Sequence, residues 1–394
     1  MRERLTVQAS LPADRARALL VGRVWKPGPD GGPCVVALRG DRVVDLTQAF
    51  ATMADLLDAP DSGTVRSRVA SAPDLCGLAD LLANSPEDAR TPACPWLLAP
   101  CDLQAIKASG VTFATSMLER VIEERARGDA AQALDIRKTV TAILGDDLSK
   151  LKPGSDAAMK LKAALIERGM WSQYLEVGIG PDAEIFTKAP AMAAVGHGAS
   201  VGIHPKSSWN NPEPEIVLAV NSRGDTVGAA LGNDVNLRDV EGRSGLLLGK
   251  AKDNNASCAI GPFIRLFDEG FGIDDVRNAT ITLSVEGPEG FRMEGSSSMA
   301  KISRDPLDLV AQTMGPNHQY PDGFVLFLGT MFAPVQDRGE KGMGFTHKVG
   351  DIVTIATPVL GALINRVTHT DKAPRWVFGA RALMRNLAAR GLLR

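Results

Sequence analysis

The sequence predicts an α+β fold that is mainly β, in two parts: a small N-terminal β-containing domain and a larger β-rich domain that carries a helical insertion. Three features support that expectation. Short Val-rich runs broken by Pro-Gly, Gly-Gly and Arg-Gly-Asp stand near the start. Helical periodicity dominates from Met117 to about Leu175. Beyond Glu184 the chain returns to strand and loop text. A length of 394 residues suits two folding units of ordinary size.

From about Leu19 to Leu46 the run VGRVWKPGPDGGPCVVALRGDRVVDL reads as strands separated by turn residues. Residues 51–90 read as helices, with MADLL, VRSRVA and LADLLANS carrying apolar residues at helical spacing. The Pro-rich ACPWLLAPCDL reads as a connector, which places a boundary near Pro100 and domains at 1–100 and 101–394. In the insertion, about 117–175, Leu118, Val121 and Ile122 share a helical face. Met159, Leu161, Ala164, Leu165 and Arg168 share another beyond a break at LKPGSD. The runs EIVLAV, GAALGNDVNL, ATITLSVEG, GFVLFLGTMFAP and GDIVTIATPV then read as strands. The closing APRWVFGARALMRNLAARGLLR is basic and amphipathic, and is expected to dock on the domain surface rather than on a membrane.

Composition excludes several functions. A net charge of -2 offers no basic field for phosphates, so no nucleic-acid partner is expected. No stretch approaches the roughly 20 apolar residues of a membrane span, and the broken N-terminal text does not read as a secretory signal, so a cytoplasmic protein with no membrane partner is expected. The five cysteines lack CxxC spacing and are expected to be reduced thiols. The five histidines show no HxH or HExxH spacing, so any bound metal would be hard and oxygen-ligated.

The sharpest local feature is Asn211-Pro212-Glu213-Pro214-Glu215 ahead of an apolar run. Residues two apart on a strand share a face, roughly 6 to 7 Å apart, so both carboxylates converge. Pro214 suits a strand start at a rim. Taken alone, such a pair is more often a solvated edge. The next strand adds a third carboxylate in Gly232-Asn233-Asp234-Val235-Asn236-Leu237-Arg238-Asp239, followed by Gly249-Lys250.

An ExE before an apolar strand, then NDxxxRD, a GK step, Gly261 to Phe263, Gly329-Thr330, and Gly350, Asp351, Asn365 and Arg366 form an ordered series. Over about 105–370 the chain thereby resembles the fumarylacetoacetate hydrolase family. The resemblance implies a mixed β-sheet catalytic domain and a Mg2+ ion, with Mn2+ or Ca2+ as substitutes, on Glu213, Glu215 and Asp234. Three carboxylates leave half of an octahedral sphere free for a 2-oxo acid substrate. It also implies that Lys250 adds positive charge near the reacting oxygen, and that Lys188 and Arg238 bind a carboxylate or brace the metal ligands. Thr330 would donate its hydroxyl to substrate.

One departure is informative. Where many members carry a Tyr, a His three on and a Glu three beyond, this chain has Phe113, Ser116 and Glu119. Serine is a poor base without a partner, which leaves Ser116 a substrate contact and Glu119 the general acid or base. A first-turn glutamate steadying a helix N-terminus is the alternative for Glu119. Within the family the insertion and HPKSSWNNPEPEIVL most resemble dehydratases of 2-keto-3-deoxy pentonates. Acylpyruvate hydrolysis, 2-oxo acid decarboxylation and a catalytically silent ligand-binding relative stand as alternatives. A homodimer or homotetramer is expected from the resemblance.

Overall fold

The structure, a computed structural model, describes residues 1–127, 129, 132–133, 151–167, 169, 171–332, 334, 336–338 and 344–393, and at 114–116 the backbone only. Arg168 and most of 128–150 within the expected insertion lie outside the described residues. The helices of the insertion that are described run Ala114–Arg125, Asp156–Glu167 and Gln173–Ile179. They gather Met117, Val121, Ile122, Leu165, Leu175 and Ile179 into one apolar cluster.

Two sheets organise the rest. The larger has eleven strands, in the order Asp74–Gly77, Arg42–Asp45, Gly32–Arg39, Leu20–Lys26, Cys258–Leu266, Thr226–Asp234, Pro214–Val220, Phe324–Phe327, Ala105–Gly110 and Glu184–Ala189, with Trp96–Leu97 beside Leu20–Lys26. Its neighbours are antiparallel except Phe324–Phe327 against Ala105–Gly110. The smaller sheet runs Arg292–Ser298, Thr280–Glu286, Ile352–Thr357, Gly361–His369 and Ser200–Ile203. The mainly β, α+β architecture and its mixed sheet follow from this arrangement.

Alternation along Pro214–Val220 explains how the sheets stack. Ile216, Leu218 and Val220 face Ile281, Leu283, Val353 and Ile355 of the smaller sheet. Val217 and Ala219 face the opposite core with Ile106, Ile260 and Phe327. The strand is buried at every position, as is Cys258–Leu266, because both faces are covered.

Leu20 and Val21 pair with Arg265 and Ile264, so one sheet runs through both sides of Pro100, where the sequence places a boundary. The closing helix, Ala380–Ala389, lays Leu383 and Leu387 against Met192 and Leu103. Asn386 donates to the Gly31 carbonyl at 2.7 Å, and a Cβ at Gly32 would stand 2.2 Å from the Asn386 side chain. The backbone there, at φ +154°, favours glycine. All five cysteines are free. No described helix is long and apolar enough to cross a membrane.

Candidate metal centre

Glu213, Glu215 and Asp234 meet on one face of a β-hairpin. Pro214–Val220 and Thr226–Asp234 pair with Pro214 opposite Asn233, which sets Glu213 across from Asp234. The Asp234 N–H donates to the Glu213 carbonyl at 3.1 Å. One carboxylate oxygen from each residue lies within 4.8 Å of the others, and all three side chains are buried. Glu215 is further held by the N–H of Gly329, at 2.7 Å. Gly329 has φ +97°, and a Cβ there would fall 2.0 Å from Thr112 Oγ1. Backbone therefore approaches the carboxylate where a side chain could not.

Burying three carboxylates together is costly, and the protein offsets it with cations. Lys252 Nζ donates to Glu213 at 2.5 Å and to Asp234 at 3.0 Å. Lys188 Nζ lies 2.8 Å from the other Asp234 oxygen and donates to the Val235 and Lys252 carbonyls. Arg120 holds the second Glu213 oxygen, Glu123 at 2.7 Å and Glu241 at 3.0 Å. Arg238 donates to Glu123 at 2.7 Å and Glu119 at 3.1 Å, with its guanidinium 4.3 Å over the Trp209 ring.

The charges respond accordingly. Burial, then the charges of Asp234 and Glu213, push the Glu215 carboxyl well above the usual carboxylate range. Burial also acts upward on Asp234, but Lys188 and Lys252 outweigh it and hold the group low. Burial works against the charge of Lys252, yet Asp234, Glu213 and Glu241 raise its pKa. Glu184, at the edge of the cluster, is pushed up to about 7 by burial and by Glu241. The carboxylates of Glu119, Glu123, Glu213, Glu215, Asp234 and Glu241 outnumber the cations Arg120, Lys188, Arg238 and Lys252. A donor set of carboxylate oxygens alone, in which a bound cation would favour the ionised form of Glu215, fits a hard divalent cation.

The expected residues fall out differently. Lys188 reaches Asp234 and braces it. Arg238 braces Glu119 and Glu123 rather than Glu213, Glu215 or Asp234. Thr330 is buried beside Gly329 and donates to the Phe332 carbonyl at 3.2 Å. The side chain of Ser116 lies outside the described residues. Glu119 is not a first-turn residue steadying the helix start: its side chain is buried and paired with Arg238.

The expectation for Lys250 is corrected: it is exposed, and Lys252 is the lysine in the cluster. Both sit on the short helix Leu248–Lys252. At about 100° per residue, positions two apart point to opposite sides of a helix. Arg120, Glu123 and Glu241 escaped the sequence reading because charged residues at helical spacing read as a solvated face until a partner element covers them.

The histidines are engaged elsewhere. His197 accepts from the Ile364 N–H at 3.1 Å and pairs with Ser10 Oγ at 3.0 Å. Its glycine-rich loop links the two sheets, with Val195 bridged to Ala259. His347 bonds Asp351 at 2.9 Å, and Arg338 also grips Asp351.

Comparison with known proteins places this geometry. The sequence profile described as fumarylacetoacetate (FAA) hydrolase C-terminal matches residues 168–368. A 2-dehydro-3-deoxy-D-arabinonate dehydratase of Saccharolobus solfataricus is 33% identical over 177 residues, 45% of this chain and 58% of that protein. A Haloferax volcanii protein named "Probable 2-keto-3-deoxyxylonate dehydratase" is 29% identical over 202 residues, 51% of this chain and 66% of that protein. The matches thus span less than two thirds of each curated relative. A solved 2-keto-3-deoxy-D-arabinonate dehydratase complexed with magnesium and 2,5-dioxopentanoate shares the fold, with TM-score 0.57 and 23% identity over 89% of this chain and 99% of that one. So does a fumarylacetoacetate hydrolase of Exiguobacterium antarcticum, with TM-score 0.53 and 16% identity over 89% of this chain and 100% of that one.

Proposed function

Since the chain belongs to the fumarylacetoacetate hydrolase family, we propose that it is a magnesium-dependent dehydratase that converts 2-keto-3-deoxy-D-xylonate to 2-oxoglutarate semialdehyde (2,5-dioxopentanoate) and water. The observation that carries this reading is a buried carboxylate triad linked to Glu119 through Arg120, Glu123 and Arg238, with no imidazole in the cluster among the described residues. Removing a proton next to a ketone needs a base and charge stabilisation. Hydrolysing an acylpyruvate needs an activated water as well. The names of the two relatives, both dehydratases of 2-keto-3-deoxy pentonates, support the same choice.

Glu213, Glu215 and Asp234 would hold Mg2+, or Mn2+ or Ca2+ in its place, and the ion supplies Lewis acidity to the 2-oxo acid. Glu119 takes a proton from C3, while the Lys252 ammonium stabilises negative charge developing on the C2 oxygen. Lys188 keeps Asp234 ionised and oriented, and Arg238 sets the position of Glu119. Ser116 and Thr330 contact the substrate. The C3–H electron pair expels the C4 hydroxyl, which leaves as water once protonated. Migration of the resulting double bond toward C5 gives the aldehyde.

We expect a cytoplasmic homodimer or homotetramer. The test is a coupled assay on EDTA-stripped protein with added magnesium, in which an NADP-linked aldehyde dehydrogenase reads the semialdehyde. Metal-dependent signal is expected. Acylpyruvate cleavage or oxaloacetate decarboxylation in its place would overturn the dehydratase.

A further inference from the structure

The face that carries the metal-ligand carboxylates continues for one more rung. Asn211 and Asn236 pair across a short two-stranded ladder in the register of the longer hairpin. Side chains alternate along a strand, so Asn211 shares the side of Glu213, and Asn236 that of Asp234. Both asparagines are fully buried. Asn211 Nδ2 donates to the Pro212 carbonyl at 2.9 Å. Asn211 Oδ1 and both polar atoms of Asn236 have no hydrogen-bond partner among the described residues.

Helix Ala114–Arg125 reaches the residues that flank the rung. Arg120 reaches Glu213, and Glu119 and Glu123 reach Arg238. Along its strand Asn236 therefore stands between Asp234 of the carboxylate rung and Arg238, which holds the proposed base. Unpaired buried amides are costly, and folded proteins keep few of them. Two on neighbouring strands, presenting acceptors and a donor together, match a ligand group that both gives and takes hydrogen bonds. An alcohol does both; a carboxylate or phosphate only accepts. Positions two apart on a strand are separated by about 6 to 7 Å, which is within the reach of a five-carbon acid anchored by its C1 and C2 oxygens.

We propose that Asn211 and Asn236 form a subsite for the distal hydroxyl groups of the substrate, and so determine specificity for hydroxylated 2-oxo acids over plain ones. The proposal rests on the reading of the site as a 2-oxo acid site.

The test is calorimetric binding to the magnesium-loaded full chain with two acids that cannot lose a C4 hydroxyl, 2-oxopentanoate and 5-hydroxy-2-oxopentanoate. Wild type should bind the hydroxylated acid about tenfold more tightly, the size of one net hydrogen bond. In Asn236→Ala and Asn211→Ala that preference should collapse toward one, with 2-oxopentanoate affinity held within about twofold. Asn236→Ser, which keeps a small polar group, guards against loss of fold and should keep part of the preference. A preference that survives in both alanine variants, or an equal loss for both acids, overturns the subsite. Failure of wild type to bind either acid overturns the subsite together with the reading beneath it. A wild-type preference that the alanine variants abolish, without turnover of the pentonate, sustains the subsite and removes only the dehydratase.

Discussion

The ammonium of Lys252 donates to the Asp234 carboxylate at 3.0 Å inside a fully covered cluster. Lys250, two residues earlier on the same short helix, faces solvent. Lys252→Met should therefore lower kcat by about 10²- to 10³-fold, the scale of losing one preorganised charge at a developing oxyanion. Lys250→Met should stay within about twofold, as surface substitutions do. Steady-state kinetics on both variants check this, and equal effects would return the role to Lys250.

Glu119→Gln keeps the size of the side chain and its contact with Arg238 but removes the base. Turnover should fall by about 10²- to 10⁴-fold, while substrate affinity, read by calorimetry, changes little. Wild-type turnover in this variant would end its assigned role.

Magnesium should raise the thermal midpoint of the EDTA-stripped protein. At a concentration about 100 times Kd the gain is about 2.7 kcal/mol, a shift of a few degrees. Glu215→Gln should abolish that shift while leaving a cooperative transition. A shift of unchanged size would move the metal away from this triad.

Gly329→Ala should damage the site through the backbone. The added methyl meets Thr112 Oγ1 at 2.0 Å, and φ +97° strains any L side chain. We expect a loss on the order of 2 to 4 kcal/mol, read by urea denaturation, with weakened metal affinity because the Gly329 N–H holds Glu215.

His197 is buried, and burial pushes its pKa down to about 3. An unfolded histidine titrates near about 6.5. Between those values the unfolded chain binds a proton that the folded chain refuses, so stability is complete above about 6.5 and falls as the pH drops toward 3. The slope from this one group is at most roughly 1.4 kcal/mol per pH unit. His197→Asn should be less stable than wild type at pH 7, with the gap narrowing by pH 5. Urea midpoints at the two pH values test it, and a constant gap would exclude a neutral buried imidazole.

Much of the architecture was legible where a signal is local. The strands Pro214–Val220 and Ile352–Thr357 announce themselves as apolar runs between turn residues, and the insertion shows its period through Val121 and Ile122. Burial on both faces erased the alternation that would have told which side of a strand meets which core. Glu119 stood out only through the family resemblance, whereas Arg120 and Glu123 looked like an ordinary solvated helix face until Arg238 and Glu213 were seen against them.

By itself the sequence determined which carboxylates share a strand face, because side chains alternate with period two whatever the rest of the chain does. Glu213 and Glu215 converge for that reason alone. Only the tertiary structure decided what stands opposite them. Strand register brought Asp234 and the Asn211–Asn236 pair onto the same face, helix phase chose Lys252 over Lys250, and the packing of Ala114–Arg125 across the hairpin supplied Glu119, Arg120 and Glu123. Contacts between elements depend on how apolar faces far apart in sequence fit together, and no local period encodes that fit.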